Sequence, residues 1–230
     1  TLCGRLMTFG LPMAFQNTVI SVGGMIVQTI VNGFGVIFIA GVTATNKLYG
    51  ILEVAATSYG YAMTTYSGQN LGAGKIRRIR RGMGVGTGIA VLTSVAIMAA
   101  MLCFGRWILA WFLPSDAAQS MEALDIAYRY LAIMAVFLPV LYILHVTRSC
   151  IQGLGNTVLP MVSGVAEFVM RTGAALLLPL CFGENGILYA EILAWIGADL
   201  ILVPSYFYMI RRLPMEEDSL EEEHSMKEEH

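Results

Sequence analysis

The amino-acid sequence predicts an all-α integral membrane protein, built as a bundle of six transmembrane helices. The first observation is composition: 57% of the 230 residues are hydrophobic and only 13% are charged, whereas a soluble protein has about 25% charged residues. The second observation is that the apolar residues fall into separate stretches of about 20, the length that a helix needs to cross a bilayer. The third is that most basic residues lie in connections on one side of the predicted bundle.

The predicted spans account for most of the chain before residue 210. Pro139 and Pro204 lie inside the fourth and sixth spans and predict kinks, because proline cannot donate a helical hydrogen bond. The apolar stretch 33–46 either lengthens the second helix or forms an interfacial connection. Gly82, Gly84, Gly86 and Gly88 begin the third span at spacings that permit close helix packing. The spans are expected at about 10–32, 47–67, 83–104, 126–146, 158–181 and 187–210.

The basic residues orient this bundle. Short loops rich in Lys and Arg remain on the cytoplasmic side of a membrane. Both ends of this chain are therefore expected in the cytoplasm, in a multi-pass protein of the plasma or inner membrane. Lys47, Arg106 and Arg129 are assigned to the outer side. The larger inner set comprises Arg5, Lys75, Arg77, Arg78, Arg80, Arg81, Arg148, Arg211, Arg212 and Lys227.

The two ends of the sequence differ in character. Residues 213–230 carry many acidic groups and no apolar periodicity, which predicts a disordered cytoplasmic tail. At the other end, Thr1 is not an initiator methionine, and the first span begins soon after it. We therefore expect this chain to be the C-terminal part of a longer protein.

Two predicted helices each carry polar residues along one face. Polar groups in a membrane helix face the bundle interior or a water-filled cavity. These two faces either line a cavity or only form hydrogen bonds to neighbouring helices. At 100° per residue, the faces comprise Asn17, Ser21, Gln28 and Asn32 in the first span and Asn46, Glu53, Thr57, Gly60 and Thr64 in the second. We select Asn17, Gln28, Asn32, Glu53 and Thr57 as candidate substrate or ion ligands.

The charged residues within the spans suggest further chemistry. Glu53 would cost about 2.5–3.5 kcal/mol at the centre of a bilayer, so it is either a proton or cation site or a group facing water at the outer side. Glu167 and Arg171 are four residues apart and can pair on one helical face, as a structural pair or as one whose partners change with conformation. Glu191 and Asp199 lack a cationic partner nearby in sequence, and Glu191 is expected at the outer interface.

Several soluble-protein motifs can be excluded. The segment Gly72-Ala-Gly74-Lys75 is not a phosphate-binding loop, because Gln69 and Ile76 occupy positions that require Gly and Ser or Thr. His145 is the single histidine within the predicted spans, and no nucleophile motif accompanies it. The cysteines have no paired spacing. We therefore expect no enzymatic activity, no cofactor or metal, and no nucleic-acid partner.

Four segments carry a resemblance to a known family. Ser67-Gly-Gln-Asn-Leu-Gly-Ala-Gly-Lys75, followed by an arginine-rich stretch, resembles the element after the eighth helix of multidrug and toxic compound extrusion (MATE) transporters. Its cytoplasmic loop motif includes Gly68, Gln69, Gly72 and Ala73. Gly10-Leu-Pro12 and the segment 28–35 resemble the two ends of the seventh helix of that family. The segment 148–157 is similar to the loop between the tenth and eleventh helices.

The resemblance implies that this chain is the second six-helix lobe of a twelve-helix transporter. It further implies efflux of organic, often cationic, drugs or toxins in exchange for protons or sodium ions, with an N-terminal six-helix lobe and the lipid bilayer as partners. Some members place an acidic cation ligand in the seventh helix, whereas the first span here offers neutral groups such as Asn17 and Gln28. A lipid-linked oligosaccharide flippase of the same superfamily is an alternative, but it predicts a cavity lined by cations, which the sequence is expected to lack. A third alternative is an isolated half that cannot transport.

Overall fold

The computed structural model describes residues 2–113 and 117–213 and confirms the all-helical prediction in that part of the chain. Consecutive helices pack together in the α2–α3, α3–α4 and α6–α7 pairs, whereas α1 packs mainly on α6 and α5 packs mainly on α2. The segment 214–230, most of the predicted acidic tail, lies outside the described residues. The helices are α1 (Leu2–Val31), α2 (Val36–Gly72), α3 (Ile76–Ala110), α4 (Ala117–Val136), α5 (Leu138–Gly153), α6 (Val158–Phe182) and α7 (Ala190–Arg212), with a 3₁₀ helix (Gly183–Tyr189) between the last two.

The fourth predicted span is a broken helix. α4 and α5 meet at 51°, and Pro139 occupies the first turn of α5, where its missing N–H costs little. The predicted kink at Pro139 is therefore confirmed as a break between two helices. α7 instead continues through Pro204 without interruption.

Membrane-spanning character is unequal among the helices. By length and apolar composition, Met7–Val31, Ile76–Ala110 and the α6–α7 stretch Val158–Arg212 could each cross a membrane, and the bent α4–α5 pair adds a fourth candidate. α2 is long enough, with 37 residues, but Asn46, Lys47 and Glu53 lower its hydropathy. α2 thus packs at the centre of the bundle, against α3, α4 and α5, although it is not among the candidate spanning helices.

The helices extend beyond the apolar stretches that predict them. α2 begins at Val36, so the stretch 33–46 mostly lengthens this helix, and α2 ends only at Gly72. The predicted basic loop is therefore a short turn at 73–75, in which Gly74 has φ +71°. α3 has 35 residues, about 52 Å at 1.5 Å per residue, whereas the hydrocarbon core is about 30 Å thick. Helix ends outside the hydrocarbon can be polar, so hydropathy does not reveal them.

Small residues permit the closest helix contacts. A Cβ atom at Gly41 of α2 would lie 2.7 Å from the Ala123 carbonyl oxygen of α4, and one at Gly153 of α5 would lie 2.6 Å from the Thr64 carbonyl oxygen. The glycines of α3 are less uniform. Gly82 faces α2, whereas a Cβ atom at Gly84 or Gly88 would have no neighbouring atom within 4 Å.

Candidate functional site

A cavity of about 470 Å³ lies inside the bundle. Its walls come from every α-helix except α3, together with the 3₁₀ helix. Apolar side chains such as Val27, Leu141 and Leu144 form part of the lining. The polar and charged lining residues are Asn17, Gln28, Asn46, Tyr49, Glu53, Thr57, Tyr130, His145, Arg148, Glu167, Arg171 and Glu191.

Four of the five candidate ligands line this cavity. Asn17 and Gln28 reach it from α1, and Glu53 and Thr57 reach it from α2. Asn32 does not line the cavity, although its backbone N–H still donates to the Gln28 carbonyl oxygen at 3.0 Å, as in a helix. It is exposed, and its Oδ1 accepts a hydrogen bond of 3.0 Å from Gln28 Nε2.

The polar face of α2 serves two purposes along its length. Asn46, Glu53 and Thr57 line the cavity. Nearer the C-terminal end, Thr64 Oγ1 donates to the Ser149 carbonyl oxygen of α5 at 3.1 Å, and Gly60 lets Ser149 approach closely. The N-terminal part of this polar face therefore lines the cavity, and the C-terminal part forms contacts between helices.

A buried chain of charges crosses the wall of the cavity. Arg148 Nη2 of α5 lies 2.6 Å from Glu167 Oε2 of α6, and Glu167 Oε1 lies 3.0 Å from Arg171 Nη2 of the same helix. Arg171 Nη2 also lies 2.8 Å from Glu191 Oε2 of α7. The contact expected from the i, i+4 spacing is therefore present, but it is the middle of a larger network. Alternating signs make these four groups neutral together, which a low-dielectric interior requires.

The same network holds the first helix. Arg171 Nη1 donates to the Ile20 carbonyl oxygen of α1 at 3.1 Å. Gly23 lies beside the Arg171 side chain, and a Cβ there would be 3.5 Å from Arg171 Cδ. α1 packs mainly on α6, so Arg171 is a polar attachment point for this helix.

Glu53 stands apart from this network. Its Oε1 lies 3.9 Å from His145 Nε2, and its side chain is 40% exposed, compared with 5% for Glu167. It lines the cavity rather than pointing away from the bundle. A partly solvated carboxylate in a polar cavity can take up a proton or hold a cation.

Three sequence expectations about charged residues are wrong. Arg148 is not a cytoplasmic loop charge, and Glu191 is not a free interfacial group, because both belong to the buried network. The cavity also does contain cations, Arg148 and Arg171. The i, i+3, i+4, i+7 spacing of Leu141, Leu144, His145 and Arg148 could have placed Arg148 on an inward face. The remaining basic residues of the inner set still outnumber the outer ones.

The motif formed by Gly68, Gln69, Gly72 and Ala73 has a structural role of its own. Gly68 and Gln69 belong to the last turns of α2, and Gly72 and Ala73 end that helix. Ser67 donates to Cys150 Sγ of α5 at 3.3 Å, and Asn70 Nδ2 donates to the Tyr66 carbonyl oxygen at 2.8 Å. None of these residues lines the central cavity. Backbone bonds close the turn between α2 and α3, since the Ala73 and Lys75 N–H groups donate to the Gln69 and Asn70 carbonyl oxygens.

The fold and the cavity define a lobe of a multi-pass helical membrane protein with a charged, polar interior. Residues 12–177 match the sequence model of the family described as MatE. This match covers more than half of the chain, and the chain therefore belongs to the MatE family, a family of transporters rather than enzymes. The resemblance found in the sequence motifs is confirmed.

Comparisons with individual proteins support this family assignment. The probable multidrug resistance protein YpnP of Bacillus subtilis (strain 168) is 26% identical over 183 residues, which are 79% of this chain and 40% of that protein. A MOP superfamily transporter from Pyrococcus furiosus, described as having a binding pocket of reverse polarity, superimposes with a TM-score of 0.79 at 17% identity, over 90% of this chain and 45% of its own. A MATE structure in the bent conformation gives a TM-score of 0.80 at 17% identity, over 91% and 46%. At such identities the structures show the fold alone, and this chain spans less than half the length of each of these relatives.

Proposed function

We propose that this chain forms one lobe of a secondary active transporter that exports organic, often cationic, drugs or toxins in exchange for protons or sodium ions. Membership of the MatE family supports the proposal, as does the name of the Bacillus subtilis relative. An N-terminal six-helix lobe would supply the other half, since this chain covers 45% to 46% of the superimposed transporters. Rocking of two lobes about a shared cavity would then alternate access between the sides of the membrane.

The proposal rests on the environment of Glu53, a carboxylate that lines the cavity without an arginine partner. Glu167 and Glu191, the other carboxylates lining the cavity, are both bound to arginines. Glu53 Oε1 instead lies 3.9 Å from His145 Nε2, and the Glu53 side chain is 40% exposed. An incoming cation can therefore bind the Glu53 carboxylate without displacing an arginine side chain from it.

The rest of the cavity suits an amphipathic cation. Val27, Val31 and Leu144 offer apolar contact, and Asn17 and Gln28 offer amide groups that fix orientation. The Tyr49 ring lies in the lining and stacks on Trp195 with centroids 5.8 Å apart. An aromatic wall beside a carboxylate favours a compound that carries both a hydrophobic ring and a positive charge.

Exchange follows if the two cargoes compete for Glu53. A proton or a sodium ion neutralises the carboxylate and removes the attraction for the organic cation, whereas binding of the organic cation displaces the proton or sodium ion. A ligand shifts the equilibrium between inward-open and outward-open states only through its differential affinity for them. Antiport then requires that the lobe changes state with one cargo on Glu53 at a time, and that the two states differ in their affinity for each cargo.

Efflux from proteoliposomes tests this function. The two-lobed transporter is reconstituted, loaded with a cationic fluorescent dye, and exposed to an imposed pH gradient or sodium gradient. We expect dye movement to depend on one of these gradients and Glu53→Gln to abolish that dependence. Glu122→Gln, on an exposed position of α4, is the matched control and is expected to retain it. Efflux that ignores both gradients would contradict the antiport proposal.

A second candidate function rests on a different observation. Arg148 and Arg171 line the cavity, and guanidinium groups bind phosphate well, so a lipid-linked oligosaccharide with a pyrophosphate group is an alternative cargo. Both arginines are already neutralised by glutamates, which makes this candidate the weaker one. Translocation of a fluorescent lipid-linked oligosaccharide, with no dye efflux, would favour it. The remaining alternative is an isolated half that cannot transport. Reconstituting this chain without the other lobe tests it, and we expect the isolated chain to show no transport.

A further inference from the structure

A basic depression lies on the surface at the turn between α2 and α3, away from the central cavity. It measures about 580 Å³. Three cationic side chains line it, and its lining contains no carboxylate. Two amides and one aromatic ring complete the walls. The lining residues are Tyr66, Gln69, Asn70, Ala73, Lys75, Arg78 and Arg81.

An apolar groove of about 490 Å³ runs between α2 and α3 next to this depression. Tyr66 and Arg81 belong to both linings, so the two hollows adjoin at these side chains. The groove is lined by Tyr59, Ala62, Met63, Tyr66, Arg81, Gly82, Val85, Gly86 and Val146. Together the two hollows form an amphipathic surface that is basic at one end and apolar at the other.

The wall shared by the two hollows is well defined. The Tyr66 hydroxyl donates to the Arg78 carbonyl oxygen at 2.9 Å. The Tyr66 ring lies directly over Gly82, where a Cβ atom would overlap it. One turn further along α3, Gly86 again lacks a side chain, and a Cβ there would be 3.4 Å from Met63 Sδ. Gly82 therefore makes room for the Tyr66 ring, and Gly86 adds no side chain to the groove beside Met63.

Within residues 2–113 and 117–213, the charges in the depression have no ion-pair partner. The arginine ion pairs found within the described residues use Arg106, Arg148 and Arg171, and none of the ion pairs there involves Lys75, Arg78 or Arg81. Three neighbouring cations repel one another unless an anion lies between them. The depression is thus electrostatically suited to an external anion.

The order of these features along α3 matches the order of groups in a lipid. Lys75, Arg78 and Arg81 come first, at the end of the hairpin, and Gly82 to Gly86 follow towards the middle of the helix. From Arg78 to Gly86 the helix rises about 12 Å at 1.5 Å per residue. That distance separates a phosphate group from the upper part of its acyl chains.

We propose that the depression and the groove together bind one anionic phospholipid, with its headgroup phosphate among Lys75, Arg78 and Arg81 and an acyl chain in the groove. Charge complementarity selects the headgroup, and the apolar groove requires a ligand with a hydrocarbon tail. A zwitterionic lipid would bring its own cation into a basic depression and would bind less well. The contact would fix the α2–α3 hairpin relative to the membrane surface.

Binding of fluorescent phosphatidylglycerol to the purified full chain in neutral detergent tests the headgroup contact, with phosphatidylcholine as the comparison lipid. We expect phosphatidylglycerol to bind more tightly, and Arg81→Gln or Lys75→Gln each to weaken it roughly five-fold, since one basic residue at a membrane surface contributes about 1 kcal/mol. Arg212→Gln is the matched control, because it removes an arginine from the end of α7, outside both hollows, and is expected to leave binding unchanged. Equal binding of the two lipids would overturn the proposal.

A second pair of variants tests the acyl-chain contact. Gly86→Leu fills the groove and is expected to weaken phosphatidylglycerol binding, whereas Gly88→Leu, on an open part of the same helix, is expected to have no effect. Glycerol 3-phosphate and inorganic phosphate serve as soluble competitors, and we expect neither to displace the lipid at millimolar concentration. Displacement by either competitor, or unchanged binding in Gly86→Leu with an unaltered unfolding temperature, would show an anion site without lipid specificity and overturn the proposal.

Discussion

Arg171 and Glu191 form an ion pair of 2.8 Å between Nη2 and Oε2, and this pair joins α6 to α7 in the wall of the central cavity. The same nitrogen lies 3.0 Å from Glu167 Oε1, and the other terminal nitrogen donates to the Ile20 carbonyl oxygen of α1. One guanidinium group therefore connects three helices. Its removal leaves two buried carboxylates with fewer partners, and this is the basis of the first prediction.

Arg171→Gln is expected to destabilise the lobe by about 3–5 kcal/mol, because it leaves Glu191 buried without its cation. Arg106→Gln removes the same chemical group from the Arg106–Asp125 pair, whose side chains are 48% and 55% exposed. That change is expected to cost no more than about 1 kcal/mol. Thermal unfolding in detergent, followed by circular dichroism, compares the two variants. Equal losses of stability would contradict a structural role for the buried network.

Gly41→Ala is expected to destabilise the α2–α4 contact by about 1–3 kcal/mol, the usual range for overpacking. The added methyl group would meet the Ala123 carbonyl oxygen at 2.7 Å and Ile126 Cβ at 3.0 Å, and a backbone oxygen in a packed helix cannot move away easily. Gly50→Ala in the same helix meets no atom within 4 Å. It should instead stabilise the helix, by up to about 1 kcal/mol. Shifts of opposite sign in the unfolding temperature, relative to the parent chain, are the expected result.

Thr45→Val is expected to cost about 0.6 kcal/mol, a typical value for a hydrogen bond between membrane helices. The Thr45 hydroxyl donates to the Ala127 carbonyl oxygen of α4 at 2.8 Å, and both groups are buried. Thr29→Val is the control, because that exposed hydroxyl donates to the Met25 carbonyl oxygen within its own helix. Denaturation in mixed micelles measures the difference. A loss for Thr29→Val as large as that for Thr45→Val would show that the contact between helices contributes nothing.

Cysteine labelling tests the proposed orientation. In a cysteine-free background, Ala73→Cys in the α2–α3 turn and Glu184→Cys in the 3₁₀ helix both place an exposed thiol at an end of the bundle. A membrane-impermeant maleimide added to intact cells should label Glu184→Cys, and should label Ala73→Cys only after permeabilisation. The reverse pattern would invert the topology derived from the basic residues.

Helix positions and polar faces could be predicted from the sequence because both depend on local patterns. An apolar stretch of about 20 residues identifies a span, and helical periodicity places Asn17, Gln28, Glu53 and Thr57 on inward faces. The cavity lining contains all four. Asn32 keeps that face, since its side chain accepts a hydrogen bond from Gln28 four residues earlier, but it lies just past the last residue of α1 and outside the cavity. Helix ends depend on where the chain leaves the hydrocarbon and on turn geometry. Hydropathy predicts neither of these, so it does not predict helix ends.

The charge network could not be predicted beyond its i, i+4 member. Glu167 and Arg171 are neighbours on one helix, so their spacing alone predicts a contact. Arg148 and Glu191 come from α5 and α7, and their contacts exist only after those helices pack against α6. In the sequence, Arg148 resembles a loop charge at the end of a span, and Glu191 resembles an interfacial acid. Tertiary packing brings each within ion-pair distance of an opposite charge.

The sequence by itself determined the helical membrane class, the approximate positions of the helices, the family and the faces on which polar groups lie, because each of these follows from short-range periodicity or from a contiguous motif. Only the tertiary structure decided which charges neutralise one another, that Glu53 remains the carboxylate without an arginine among those lining the cavity, and that two surface hollows meet at Tyr66 and Arg81. The physical reason is distance: electrostatic pairing and cavity shape depend on atoms a few ångströms apart in space that are far apart along the chain.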